Sequence, residues 1–205
     1  MNILITAGPT HEPIDPVRYI GNRSSGRMGA ALAAAAIAAG HRVTLVLGPI
    51  AFAPQADVRI DVETAAQMQE AVLREFPAHD VLIMAAAVAD FRPSRFSVEK
   101  LSRAGGFTIE CEPTEDILAA ASGIKRPDQR TVGFSLESTG GLTRAREKLV
   151  RKQLDLIVYN PAETMNSTDI EPTLLYPDGR VDSLPRDSKD VFARLLVARV
   201  MDLFK

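Results

Sequence analysis

The chain has little cysteine and no excess of charge of either sign. Cys111 is the only cysteine in 205 residues, which excludes an intrachain disulfide, and we expect it to be a buried structural thiol and not a nucleophile. Lysine and arginine together number 24 and aspartate and glutamate 26, for a net charge of −2. This balance argues against a dedicated nucleic-acid-binding protein. The three histidines are scattered along the sequence and give no evident metal site.

The sequence also lacks a hydrophobic run long enough to cross a bilayer. Its longest apolar stretch, residues 28–39, is shorter than the roughly 20 residues that a membrane-spanning helix needs. The N-terminus begins as a hydrophobic strand and lacks the basic start of a secretory signal. We therefore expect a cytoplasmic protein with no membrane partner and no nucleic-acid partner.

What the sequence does contain is an alternation of short β-rich runs with longer Ala- and Leu-rich runs. The runs at 2–7, 42–47 and 80–86 are almost continuously apolar, as in strands that are covered on both faces, whereas 57–62 alternates. Further strands are expected at 107–111, 131–137 and 154–160, and helices at 26–39, 64–76, 114–121, 141–152 and 187–204. This repeat predicts an α/β fold in a single domain, residues 1–205. The sheet is expected to be doubly wound, mostly parallel and Rossmann-like, with helices on both faces.

A turn signal interrupts this rhythm in the last quarter of the chain. Pro177, Asp178 and Gly179 stand between the runs 174–176 and 181–184, a pattern typical of a β-hairpin. Two interpretations remain open: an arm that packs on another subunit, or an antiparallel addition to the edge of the sheet.

The strongest functional signal lies between the first strand and the first helix. The strand ends near Ala7 and the helix begins near Ser25, a connection much longer than the usual βα loop of about 2–6 residues. It lacks the G-x-G-x-x-G pattern of dinucleotide sites. Its last part, NRSSGRMG, brings small residues to a helix start, where free N–H groups bind anions. The residues predicted to hold a phosphate are Ser24, Ser25, Gly26 and Arg27, with Arg18 and Arg23 beside them. The alternative is that a serine only caps the helix and that the arginines are solvated.

The residues of this connection resemble a known family. The run TAGPTHEPIDPVRYIGNRSSGRMG, residues 6–29, is similar to the signature of phosphopantothenate–cysteine ligase, also called phosphopantothenoylcysteine synthetase. The family is the CoaB-type domain of the DNA/pantothenate metabolism flavoproteins, and the sequence resembles the stand-alone form of this domain. Later blocks follow in the family's order, namely AAAVADFRP at 85–93, Glu99-Lys100-Leu101, Val132-Gly133-Phe134, Glu147-Lys148, Lys152, and 154–158 with Asn160.

The resemblance implies a ligase of coenzyme A biosynthesis that joins 4′-phosphopantothenate to L-cysteine. In the bacterial family CTP activates the carboxylate, pyrophosphate leaves, and the cysteine amine then displaces CMP from an acyl-CMP intermediate; eukaryotic relatives use ATP. Mg²⁺ is expected to arrive on the triphosphate with few protein ligands. The resemblance further implies a homodimer, and a separate phosphopantothenoylcysteine decarboxylase is a possible partner.

The resemblance also assigns roles to individual residues. Asn22, Lys100 and Arg18 match the catalytic positions, with Lys100 stabilising the triphosphate and Asn22 holding the acyl-nucleotide. The residues expected to bind the nucleotide are Met84, Ala85, Ala86, Asp90, Lys100, Asp116, Ile117, Phe134, Lys148 and Lys152. Two departures stand out: Leu101-Ser102-Arg103 replaces the usual basic run after the lysine, and Glu115 occupies a position where proline is usual.

Other interpretations of the same residues remain open. An NAD(P)-dependent Rossmann-type reductase would suit the fold, but the glycine pattern is missing and no acidic residue follows the second strand. A non-catalytic nucleotide-binding subunit is the third reading. Taken singly, Asn22 is also compatible with a left-handed turn residue, and Lys148 with Lys152 is compatible with a solvated helix face.

Overall fold

The computed structural model describes residues 1–103, 105–137, 141–161 and 169–205. In chain order the strands are β1 (Asn2–Ala7), β2 (His11–Pro13), β3 (Tyr19–Gly21), β4 (Arg42–Leu47), β5 (Val58–Asp61), β6 (Val81–Met84), β7 (Phe91–Pro93), β8 (Cys111–Pro113), β9 (Arg130–Glu137), β10 (Leu156–Pro161), β11 (Asp169–Ile170), β12 (Thr173–Leu175), β13 (Val181–Ser183) and β14 (Asp187–Ser188). The helices are α1 (Arg27–Ala38), α2 (Ala65–Glu75), α3 (Ile117–Gly123), α4 (Gly141–Arg151) and α5 (Lys189–Asp202).

The main sheet has eight strands in the order β13-β12-β10-β9-β6-β1-β4-β5. β1 pairs in parallel with β4 and β6, and β9 pairs in parallel with β6 and β10. Ile3 and Ile5 belong to the core beneath α1 and α5, whereas Leu4 belongs to the core beneath α2, α3 and α4. Because β1 is covered on both faces, it has to be apolar almost throughout. The predicted fold class is confirmed.

Helix α1 lies unusually close to the sheet. Gly29 faces Ala7 of β1, and a Cβ atom at position 29 would collide with the side chain and backbone of Ala7. Glycine therefore lets the first turn of α1 approach the end of β1. At the start of α2, Thr64 caps the helix and forms a reciprocal capping box with Gln67.

The hairpin formed by β12 and β13 extends the main sheet. β12 pairs antiparallel with β10, and β13 pairs antiparallel with β12. Leu174 and Leu175 of β12 are buried in the cores on opposite faces of the sheet. Of the two interpretations of this segment, the structure confirms the antiparallel addition to the edge of the sheet. The hairpin is not a projecting arm, because these leucines are already covered within the chain.

The strand predicted at 107–111 is wrong. Residues 107–110 form no strand, and β8 pairs only with β7, in a two-stranded sheet apart from the main one. The expectation that Cys111 is buried is wrong for the same reason, since a strand outside the main core leaves it exposed. The long connection after β1 contains a second small hairpin, in which β2 pairs antiparallel with β3.

Helix α3 begins later than predicted, because Asp116 caps it by accepting a hydrogen bond from the Ala119 N–H (3.1 Å). In the part of the chain that the structure describes, no helix is long and apolar enough to cross a membrane.

Candidate functional site

A cleft of about 830 Å³ opens at the C-terminal edge of the main sheet. It lies where the strand order reverses, because β4 and β5 lie on one side of β1 while β6, β9 and β10 lie on the other. Ligands of open α/β sheets bind at such a switch point. The cleft is lined by the starts of α1 and α3 and by the ends of β6, β9 and β10. Two lysines near the end of α4 and the first residue of α5 also line it.

Most of the residues predicted to bind ligands come together here. The residues that line the cleft include Asn22, Ser24, Ser25, Gly26, Arg27, Met84, Ala85, Ala86, Asp90, Asp116, Ile117, Phe134, Lys148 and Lys152. The predicted phosphate site and most of the predicted nucleotide site are therefore parts of one cavity. Arg18 and Lys100 are not among its lining residues.

The start of α1 carries no side-chain cap. Gly26 precedes the helix in the left-handed region (φ 71°), and no side chain accepts a hydrogen bond from the first turn, which also lacks an acidic residue. The Ser24 hydroxyl instead accepts a hydrogen bond from the Gly26 N–H (3.3 Å). The interpretation that a serine merely caps this helix is therefore wrong. The positive end of α1 faces the cleft and suits an anion.

Two cations stand beside this helix start. Arg27 is the first residue of α1 and Lys189 is the first residue of α5, and both line the cleft. Burial, and the nearby positive charge of Arg27, lower the pKa of the Lys189 ammonium. Neither side chain has a hydrogen bond or ion pair with any residue that the structure describes. Two neighbouring cations without a counter-charge form a candidate anion-binding site.

Lys189 was missed by sequence reasoning. Its signal is a basic residue directly after Ser188, whose hydroxyl caps α5 by accepting from the Val191 N–H (3.3 Å). A cation at the start of a helix opposes the helix dipole and is locally unfavourable. Basic residues at the starts of two helices that pack together, α1 and α5, are therefore a hint of function.

The opposite wall of the cleft carries polar groups suited to a nucleotide. The Lys152 ammonium pairs with the Asp116 carboxylate (2.8 Å), and the Lys148 ammonium donates to the Phe134 carbonyl (3.0 Å). Burial raises the pKa of Asp116, but the hydrogen bond from Lys152 and the Ala119 N–H outweigh burial and hold it below its ordinary value. The two lysines thus face the cleft together and are not a solvated helix face.

The remaining predicted residues of this wall lie at the end of β6 and in the loop after it. Ala85 and Ala86 are small and only partly buried, so their backbone is open to a ligand. Asp90 is exposed on the rim. The Thr114 hydroxyl donates to the Ala89 carbonyl (2.5 Å) and joins this loop to the segment before α3.

Asn22 lies at the mouth of the cleft, directly after β3. Its side-chain amide donates to the Val88 carbonyl (2.8 Å), which orients the amide against the loop after β6. The alternative of a left-handed turn residue is wrong, because Gln153 is the only non-glycine with a positive φ among the described residues.

Lys100 and Arg18 lie outside the lining of the cleft, and Arg18 contacts the residue that follows Lys100. Lys100 is exposed in the loop between β7 and β8. The Arg18 guanidinium donates to the carbonyl of the next residue, Leu101 (2.9 Å), and pairs with Asp15 (3.4 Å). Arg18 and Asn22 flank β3, so their Cα atoms lie about 13 Å apart along an extended strand.

Asn160 is a further polar residue of the cleft. It is the second-last residue of β10, its Oδ1 atom is buried, and this atom has no hydrogen-bond partner in the described structure. A buried acceptor without a donor is costly unless a ligand or water supplies one. Asn160 was part of the resemblance but received no role from it.

The described contacts of His79 and His11 are structural. The buried His79 ring bridges the Thr44 hydroxyl (2.8 Å) and the Glu75 carbonyl (2.7 Å), and His11 stacks on Tyr19 with ring centres 3.6 Å apart. No three His, Cys, Asp or Glu side chains come together as a metal site in the described ranges.

Comparison with known proteins places this geometry in a family. A family model described as "DNA/pantothenate metabolism flavoprotein C-terminal domain" matches residues 1–203. The chain is 43% identical over 208 residues to a protein named "Cysteine/Cysteine sulfinic acid decarboxylase" from an unknown prokaryotic organism, covering 98% of this chain and 58% of that protein. It is 44% identical over 199 residues to the "Coenzyme A biosynthesis bifunctional protein CoaBC" of Vibrio cholerae, covering 93% of this chain and 50% of that protein. The chain thus spans about half the length of the curated relatives it matches.

A solved structure agrees with these matches. The crystal structure of the C-terminal domain of CoaBC superposes with a TM-score of 0.85 at 38% identity, over 98% of this chain and 94% of that one.

Proposed function

Because the chain belongs to the family of the DNA/pantothenate metabolism flavoprotein C-terminal domain, we propose that it is a phosphopantothenate–cysteine ligase. The observation that carries this proposal is the single cleft that holds an uncapped helix start with two unpaired cations on one side and the Asp116–Lys152 pair with Lys148 on the other. A ligase that joins an acid to an amine through a nucleotide needs both an anion site and a nucleotide site within reach of each other.

The reaction that fits this cleft has two steps. The carboxylate oxygen of 4′-phosphopantothenate attacks the α-phosphorus of CTP, and pyrophosphate leaves, which gives an acyl-CMP. The cysteine amine then attacks the acyl carbon, CMP leaves, and the nitrogen loses its proton to give the amide. CTP as the nucleotide and Mg²⁺ on its phosphates are parts of this proposal.

The anion side holds a phosphate. The free N–H groups at the start of α1 and the cations Arg27 and Lys189 are donors for a phosphate dianion, with Ser24 and Ser25 beside them. Burial and the charge of Arg27 lower the pKa of Lys189, and a bound phosphate acts in the opposite direction because an opposite charge favours the ammonium form.

The nucleotide side holds the base, ribose and remaining phosphates. Lys148 and Lys152 supply positive charge, and Asp116 already fixes the Lys152 ammonium in place. Phe134 and the small residues Ala85 and Ala86 leave room for a base against backbone groups. Mg²⁺ would neutralise part of the triphosphate charge, and Asp90 on the rim is a carboxylate that would hold it through water.

Asn22 at the mouth of the cleft and Lys100 on the loop between β7 and β8 complete the site. Asn22 is oriented by the Val88 carbonyl, which leaves the amide oxygen as an acceptor for the incoming amine. Lys100 is carried by a loop that Arg18 ties to the hairpin leading into Asn22, so the ammonium would reach the triphosphate by extension of its own side chain from this loop. The exposed position of Lys100 agrees with a mobile point charge.

A pyrophosphate-release assay tests the proposal. Phosphopantothenate is supplied with each of the four nucleoside triphosphates, with and without cysteine. We expect release with CTP, limited to about one equivalent per site without cysteine because the acyl-CMP remains bound, and continuous turnover with cysteine. Release with ATP alone would overturn the choice of nucleotide. NADPH binding without any pyrophosphate release would replace the ligase by the reductase, and CTP binding without release would replace it by a non-catalytic subunit.

A further inference from the structure

Asp15 is a buried carboxylate in a surface turn, away from the cleft. Its side chain is 0% exposed, although the turn between β2 and β3 that carries it lies at the surface. Its Oδ1 atom accepts hydrogen bonds from the N–H groups of Val17 and Arg18, both at 2.8 Å. These two bonds shape the turn locally. A charge is buried at a cost, so the contacts of the second oxygen need an explanation.

The second carboxylate oxygen holds the loop that carries Lys100. Oδ2 of Asp15 accepts from the Leu101 N–H (3.1 Å) and pairs with the Arg18 guanidinium (3.4 Å). Arg18 in turn donates to the Leu101 carbonyl (2.9 Å). Both polar backbone groups of Leu101 are therefore held by one Asp–Arg pair from a segment more than 80 positions earlier in the chain.

This clamp acts directly beside Lys100. Leu101 is the next residue, so its Cα lies about 3.8 Å from that of Lys100. A second tie holds the same loop to the same turn, because the Ser97 N–H donates to the Ile14 carbonyl (2.9 Å). The loop is thus fixed to the turn on both sides of Lys100, while the lysine side chain itself remains exposed.

We propose that Asp15 is a positioning residue for Lys100. Asp15 acts by holding Arg18 and the Leu101 backbone in one clamp. The clamp sets the place from which the lysine side chain reaches the cleft. Arg18 acts on Lys100 through this loop, because its guanidinium holds the Leu101 carbonyl. The proposal rests on the proposed function in so far as Lys100 assists the first chemical step, but the clamp itself is testable without activity.

Hydrogen exchange tests the clamp directly. In Asp15→Asn the side chain loses its charge and its hold on Arg18, and we expect the Leu101 amide to exchange about tenfold faster or more, since its hydrogen bond opens locally. Asp57→Asn is the matched control, because the Asp57 carboxylate also accepts a backbone N–H, that of Val43 (2.7 Å), far from the loop. The control should speed exchange at Val43 and leave Leu101 unchanged. Unchanged exchange at Leu101 in Asp15→Asn overturns the proposal, whatever the activity.

Kinetics of the first chemical step test whether the clamp contributes to catalysis through Lys100. In Asp15→Asn we expect the rate of pyrophosphate release to fall by about tenfold or more, with the KM for phosphopantothenate within about twofold of normal, because the cleft residues are untouched. In the Lys100→Gln background the same change should have no further effect, since both act on one step. Effects that multiply, or a loss confined to KM, would contradict a positioning role.

Two further variants keep the outcomes separable. If Asp15→Asn fails to fold, Arg18→Gln removes the hold on the Leu101 carbonyl while leaving the hydrogen bonds of Asp15 within its own turn, and the same results are expected. If Lys100→Gln leaves pyrophosphate release unchanged, the role proposed for Lys100 fails, whereas faster exchange at Leu101 in Asp15→Asn would still establish the clamp.

Discussion

Replacement of Lys189 by methionine is expected to stabilise the folded protein slightly while weakening its affinity for a phosphate-bearing ligand. The ammonium lies at the start of α5 and next to Arg27, and both positions are unfavourable for a cation. Removing a cation from a helix start contributes about 0.3–1 kcal/mol to the free energy of unfolding. For a chain of this length we therefore expect the melting temperature to rise by about 1–4 °C.

The loss of binding follows from the same geometry. A hydrogen bond from a charged donor contributes about 1.5–3 kcal/mol. Because Lys189 is only partly buried, we expect the lower end of this range, which corresponds to a dissociation constant about tenfold higher. Calorimetric titration with phosphopantothenate, pantothenate and CTP separates the sources of the phosphate. The ligand whose affinity falls is the one whose phosphate lies at α1, and pantothenate should be unaffected.

Lys205→Met is the matched control for this prediction. Lys205 is exposed beyond the other end of α5 and pairs with Asp202 (2.7 Å), so its removal should change neither ligand affinity nor, beyond about 0.5 kcal/mol, stability. A Lys189→Met protein that melts at a lower temperature and binds both phosphate ligands normally would refute the anion site.

Three other expectations concern packing, charge and assembly. Gly29→Ala should lower the free energy of unfolding in chemical denaturation by about 1–3 kcal/mol, because the added methyl group meets Ala7. Gly123→Ala, with open space around it, should not lower this free energy. Equal losses in the two variants would contradict the close approach of α1. Asp116→Asn keeps the helix cap but loses the ion pair with Lys152, so wild type should be more stable by about 0.5–1 kcal/mol at pH 7. Since the folded pKa of Asp116 lies below its ordinary value of 3.8, that advantage should persist down to this pH and disappear only as the pH falls further; an advantage lost between pH 7 and 5 would rule the pair out as its source. We also expect a homodimer by sedimentation, formed through the exposed apolar side chains on and beside the sheets β2-β3 and β7-β8. Phe96→Ser, at a residue 52% exposed, should therefore weaken the dimer, and an undiminished dimer would place the interface elsewhere.

The parallel core of the fold was predictable because its signal is local. β1 and β4 were predicted with the bounds that the structure has, since a strand buried on both faces is written as one apolar run. The small sheets were not predictable: β7 and β8 have three residues each, too few for any periodicity. The misplaced strand at 107–111 and the exposed Cys111 follow from this, because the position of β8 is set by pairing with a segment 20 residues away.

The candidate site was predictable as far as strand ends and helix starts determine it. Met84 and Phe134 come to one cleft because the parallel strands β6 and β9 end at one edge of the sheet. Lys189 was missed because no motif marks it, only its unfavourable place at a helix start. Where Lys100 lies depends on hydrogen bonds between Leu101 and residues 83 and 86 positions away, which no local pattern reveals.

The two outer strands of the main sheet have a consequence for how copies of the chain can meet. β5 and β13 are short, and each has charged side chains, with Arg59 and Asp61 paired on β5 (2.9 Å) and Asp182 on β13. Short charged edges discourage a neighbouring backbone from adding another strand. The protein should therefore resist aggregation by continuation of the main sheet even when concentrated, and a specific assembly has to be built from other surfaces than these two edges.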